Sequence, residues 1–264
     1  MSWPTMRRLL WEHRIRLPLI VLLLGLWGFG LVALFSVADD QTRTSGLSGN
    51  IATAFRLTGL DPLAAWTAIG QTHPIFLVSA LLFVVGLGVR SVAGELEAGS
   101  LDLTLARPVG RRRYLATYVA LLAPGAAGIV LAYAAGTIVA DRIFDPPGRT
   151  LQVDRMLIAA GESWLLLMAI GAMAMLVSAL MSERGRALGV AIGVVLGMYV
   201  GNFLFSLWGP LHPLTRLSLF WYFTPGPAIQ SGNVSAGDSI VLAACAAVAM
   251  VAAFAAFTRR DLAR

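Results

Sequence analysis

Lysine is absent from this chain: every one of its 20 basic residues is arginine. Charge of either sign is sparse, at 13% of 264 residues, where a soluble domain carries about a quarter. With 58% hydrophobic residues and a mean hydropathy of +0.76, there is too little polar surface to face water. Cysteine occurs once, as Cys245 inside an apolar run, which excludes a disulfide framework and a thiolate metal site. Strict apolar/polar alternation is missing, which argues against a transmembrane barrel. No G-x-x-x-x-G-K-S/T loop occurs, so the chain is not itself an ATPase. His13, His73 and His212 are isolated, and no HExxH pair exists, so neither a zinc site nor an intramembrane protease is supported. The chain is read as a non-enzyme.

What is present is long charge-free runs, the mark of membrane-spanning helices. Six are expected, at about 17–38, 74–89, 114–140, 156–181, 187–208 and 239–258, forming one all-α integral membrane domain over 1–264. At 1.5 Å per residue the first reaches about 33 Å, enough for a hydrocarbon core of about 30 Å. Ser36 and Ala38 would suit a signal peptidase, but the run is long for a signal core, and the span is expected to stay. Residues 39–73 read as a polar connection holding an apolar piece at 62–69. Ahead of the first span, Trp3, Met6, Leu9, Leu10 and Trp11 form an apolar stripe edged by Arg7, Arg8, Arg14 and Arg16, the pattern of an interfacial helix over anionic headgroups.

Residues 217–237 are uncharged but contain Pro225, Gly226, Pro227, Gly232 and Gly237 beside Trp221, Tyr222 and Phe223. Breakers next to aromatics predict a broken or re-entrant segment, not a seventh span. Arginine distribution agrees. With six spans and cytoplasmic termini, 14 arginines lie inside and 6 outside, as the positive-inside rule requires; a seventh span would strand the terminal arginines. The pI of 10.4 therefore reflects membrane topology, and no nucleic-acid partner is expected.

Residues 90–118, RSVAGELEAGSLDLTLARPVGRRRYLATY, form the most heavily patterned polar stretch. Val92, Leu96, Leu103 and Ala106 recur at helical spacing among Glu95, Glu97 and Asp102. Gly99 and Ser100 interrupt, Pro108 terminates, and Arg111 to Arg113 open the next span. This predicts a helix–break–helix lying along the inner membrane face, acidic first and basic last. Taken singly, each polar residue here also fits a solvated loop.

The run Glu-x-Glu-x-Gly-Ser-Leu followed by Arg-Pro-Val-x-Arg resembles the permease subunit of type-2 ABC exporters of the bacterial cytoplasmic (inner) membrane. Glu95, Glu97, Gly99, Ser100, Leu101, Pro108, Val109 and Arg111 match that pattern, and the opening segment and the closing Phe-Thr-Arg-Arg-Asp-Leu at 257–262 resemble the family's elbow helix and ending. Ser100 stands where threonine is commoner, and Tyr118 where a basic residue is common. The resemblance implies a cytoplasmic coupling helix between spans two and three, docking on a separate ATPase. It also implies two ATPase copies, which bind ATP and Mg, and a second permease, identical or paralogous. The chain itself would need no cofactor. Glu95 and Glu97 would make charge-assisted contacts to the ATPase.

Glu162 is the one ionisable residue that stands out within a span, about two turns inside the fourth, read either as an interface residue or as part of a pathway or outer gate. The alternatives to an exporter are an ion-coupled carrier, for which no midplane carboxylate or discontinuous helix is visible, and a non-transporting membrane anchor. Gly25, Gly28, Gly30, Gly86, Gly88, Gly189, Gly193 and Gly197 are expected where helix backbones approach closely, within the chain or across a dimer. Short outer loops and apolar spans favour an amphipathic or lipid-like cargo.

Overall fold

The computed structural model describes residues 3–38, 56–101, 110–146 and 150–260, and these are mostly helical, with no strand among them. Six helices are long and apolar enough to cross a bilayer, which makes this a multi-pass membrane protein. In chain order the elements are α1 (Trp3–His13), α2 (Arg16–Val37), α3 (Pro62–Thr72), α4 (Pro74–Val89), a π turn (Arg90–Gly94), α5 (Glu95–Glu97), α6 (Arg111–Phe144), α7 (Val153–Leu180), α8 (Arg184–Leu207), α9 (Pro225–Ser231) and α10 (Ala236–Arg259). Between α8 and α9 lie two 3-10 turns, Gly209–Leu217 and Leu219–Tyr222. The broken segment before the last span is therefore present: its short helix ends at Gly232, whose φ of 73° needs a residue without a Cβ.

The stretch with α3 and α4 and the long α7 form the centre, with 67% and 61% of their most apolar windows buried; α8 and α10 have 17% and 22% and form the rim. Rim residues such as Leu196, Val248 and Val251 point outward and suit a lipid solvent. α2 packs mainly on α6, and α10 mainly on α7. The α2–α6 seam is closed by backbone contact, because a Cβ at Gly136 would overlap the Gly25 carbonyl oxygen and one at Gly28 would crowd the Tyr133 carbonyl. Gly88 is pressed on α7 in the same way. Gly30, Gly86, Gly189, Gly193 and Gly197 instead face open space, so intrachain packing does not account for the α8 stripe.

Two expectations are corrected. Residues 62–72 are not loop: α3 is a helix lying within the bundle, and the apolar helical stretch runs from Pro62 to Glu97. Hydropathy concealed this because His73–Pro74 breaks the helix. Pro74 has no N–H for the Gly70 carbonyl, and the Trp27 indole N–H takes that place at 3.0 Å. The Tyr133 and Tyr199 hydroxyls donate to the carbonyls of Thr67 (2.6 Å) and Thr72 (3.1 Å), fastening α3 to α6 and α8.

The second correction concerns residues 90–97, which continue the span instead of lying apart from it. Their continuation is a π turn wedged by Ser178 of α7. An α-helix would bond the Ala93 N–H to the Val89 carbonyl. Here the buried Ser178 hydroxyl stands between them, donating to Val89 O (2.6 Å) and accepting from Ala93 N (2.8 Å) and Val92 N (3.1 Å). One hydroxyl thus satisfies three backbone groups. Ser178→Ala is expected to lower stability by about 1–3 kcal/mol, read as the thermal midpoint in detergent; an unchanged midpoint would show that the turn reverts to α-helix without loss.

Candidate functional site

The end of the bundle where α2, α6 and α8 begin gathers most of the residues singled out by sequence. At its centre is Glu95, 1% exposed. The π turn delivers its carboxylate inward, where Oε2 accepts from Arg8 Nη2 of α1 at 2.7 Å and Oε1 accepts from Arg90 Nε at 3.1 Å. Arg90 also binds Glu12 Oε1 of α1 at 2.9 Å, and Arg8 Nε lies 3.9 Å from the same oxygen. Two arginines and two glutamates make an electrically neutral quartet joining α1 to the end of the second span. Burial alone would lower the pKa of the Arg8 guanidinium; Glu95 beside it reverses this and holds it above its ordinary value. The Ser100 hydroxyl donates to the same carboxylate. The Tyr118 hydroxyl stands beside it, and Tyr114 donates to Tyr118 at 3.3 Å. Tyr118, where the resemblance expects a basic residue, is thus a buried neighbour of the quartet.

Around the quartet, charged side chains cap helix ends belonging to other elements. Helix starts leave N–H groups, and helix ends leave carbonyls, without intrahelical partners. Glu97 Oε2 accepts from the Arg184 N–H at the start of α8, at 2.6 Å. Arg111, at the start of α6, donates to the carbonyls of Phe257 (3.4 Å), Thr258 (3.2 Å) and Arg260 at the end of α10. Arg260 in turn donates to the carbonyls of Ala179 (3.0 Å) and Met181 (2.8 Å) and to the Ser182 hydroxyl (2.6 Å), closing the end of α7. Each charge matches the sign of the helix end it meets.

The structure therefore separates the predicted residues by job. Glu95, which the resemblance would set against an ATPase, turns inward within this chain, with its carboxylate committed to Arg8, Arg90 and Ser100. Glu97 is the exposed acid of the pair. Gly99 has φ 68° and breaks the helix, and Leu101 is fully buried. Arg111 caps a helix, while Pro108 and Val109 lie outside the described residues. Sequence reading missed Arg8, Glu12, Arg90, Arg260 and Ser178 as participants. One signal for the first pair was available: Glu12 is the only acid in a basic segment and sits four residues after Arg8.

Glu162 is remote from this cluster. It lies on the third turn of α7, near the opposite end, and is buried within the protein, 3% exposed. Neither carboxylate oxygen makes a hydrogen bond among the described residues, although the Thr224 backbone faces it. Nearby, the Ser163 hydroxyl donates to Gln71 Oε1 at 3.3 Å, and Gln71 Nε2 is buried with no partner among the described residues. The broken segment is tethered over this region by Gln230, which accepts from the Asp61 N–H (3.0 Å) and from Arg155.

Comparison with curated proteins finds no match. A family model does match, over residues 31–263, and so takes in the quartet's Arg90 and Glu95 and every spanning helix except the first two thirds of α2. On that match the chain belongs to the family described as Protein of unknown function (DUF2705).

Proposed function

We propose that this chain is the membrane-spanning permease subunit of an ATP-driven exporter of the type-2 ABC kind. In this reading α1 is the elbow helix and the segment from Glu95 to Arg111 is the coupling element. Both termini are cytoplasmic, in a bacterial inner membrane, because the arginines concentrate at that end. Two ATPase subunits hold ATP and Mg there, and a second permease completes the pathway. One observation carries the proposal: side chains of this segment bind α1, the start of α8 and the end of α10, so a push on it reaches several spans together. Glu97, exposed beside the Gly99 break, is the residue for a partner to meet. Glu95 transmits the load through the quartet.

Affinity purification of the chain from its native membrane in mild detergent is expected to recover a soluble P-loop protein at near one-to-one stoichiometry. Glu97→Arg should lower that recovery about tenfold, the loss of a close interfacial charge contact worth about 1.5 kcal/mol, while the permease stays folded. Repeated recovery of the chain without any ATPase would sink the reading. It would favour an ion-coupled carrier, whose support is the buried Glu162 carboxylate with no hydrogen-bond partner among the described residues.

A further inference from the structure

α1 carries a groove of about 610 Å³ lined by Trp3, Pro4, Arg7, Arg8, Trp11 and Glu12. Trp3, Arg7 and Trp11 follow one another at intervals of four, which places them in a row along one helix face. The indoles are 66% and 64% exposed and frame the groove, with the exposed Arg7 between them. Charge in the groove is not balanced. Arg8 and Glu12 belong to the neutral quartet with Arg90 and Glu95. Arg7 has no ion pair or hydrogen bond among the described residues, and Arg14 lies over the Trp11 ring at 4.1 Å, adding a second uncompensated charge at the groove's end.

Position selects the occupant. Only Arg14 and Ile15 separate α1 from α2, a 22-residue helix of almost wholly apolar sequence, so the groove lies at the level of lipid headgroups. Tryptophan prefers that level, and arginine binds phosphate oxygens through paired N–H groups. A soluble anion would gain nothing from two exposed indoles. We propose that this groove binds the headgroup of one anionic phospholipid. Arg7 and Arg14 meet the phosphate, and Trp3 and Trp11 lie along the glycerol and upper acyl chains. The site is independent of whether an ATPase partner exists, and an occupied groove holds α1, and with it the quartet, against the bundle.

The test uses the full chain in mild detergent with equal amounts of phosphatidylglycerol and phosphatidylcholine, and native mass spectrometry to count the lipids that remain bound. The wild type should prefer phosphatidylglycerol by about fivefold for each of the two arginines. Arg7→Gln with Arg14→Gln should bring the ratio near one. Arg112→Gln with Arg113→Gln, an equal charge loss at the same end of the bundle, should leave the preference in place. Equal retention of both lipids by the wild type would overturn the proposal whatever the variants do. A matching loss in the Arg112/Arg113 variant would overturn it in favour of diffuse surface charge, and displacement of the lipid by millimolar inorganic phosphate would overturn it in favour of a free-anion site.

Discussion

Gly136→Ala is expected to destabilise the folded chain by about 3 kcal/mol, while Gly193→Ala leaves it unchanged or raises stability by up to about 1 kcal/mol. Both are helical glycines in apolar spans, so helix propensity favours alanine equally at the two sites. They differ in what the added methyl meets. At Gly136 it would enter the Gly25 carbonyl oxygen, and a helix backbone cannot step aside as a side-chain end can. The α2–α6 seam would have to part along its length, losing the dispersion contacts that hold helices together in lipid, where water drives nothing. At Gly193 the methyl would meet no atom of another helix within 4 Å among the described residues. Thermal unfolding in detergent, followed by circular dichroism, separates the cases. A loss at Gly193 equal to that at Gly136 would mean that the α8 stripe is covered by another helix in the purified protein.

Glu95→Gln is expected to lower stability by about 2–3 kcal/mol. Removing one member of a buried ion pair typically costs about 3–5 kcal/mol, because the remaining charge stays desolvated. The lower figure applies because Arg8 and Arg90 are each 33% exposed and can recover some hydration. A double-mutant cycle with Arg8→Gln makes the point sharper: the pair of changes should cost less than the sum of the two single ones, by about 0.5–3 kcal/mol. Additive effects, or an unchanged midpoint for Glu95→Gln, would show that the quartet contributes nothing to the fold.

The spans were legible because long charge-free runs have one stable solution in a bilayer, and the expected limits of all but the second fall within about four residues of the helices; the second, expected at 74–89, belongs to a helical stretch that runs from Pro62 to Glu97. The ends ran longer where polar residues continue the helix, as Arg111 to Arg113 and Asp141 do in α6. α3 was not legible as a helix because Pro74 splits the apolar run, and what repairs the split is Trp27, far away in sequence. The π turn depends on Ser178, more than eighty residues off. Spacing of glycines likewise misled. The regular Gly189–Gly193–Gly197 repeat faces open space, whereas Gly28 and Gly88, and with them Gly136 outside any such repeat, are pressed on a neighbouring backbone. At the candidate site, the sequence singled out Glu95 but could not show its intrachain partners, since Arg8 and Arg90 reach it only in space.

The π turn sets the angular phase of everything that follows it. Successive residues of an α-helix are separated by about 100° around the axis, and a π turn inserts one residue beyond the α count. Deleting a single residue from 90–94 would let the ladder close as α-helix and swing Glu95 by about 100°, away from Arg8. Five residues thus act as a spacer whose length, more than its composition, decides which way an acid points.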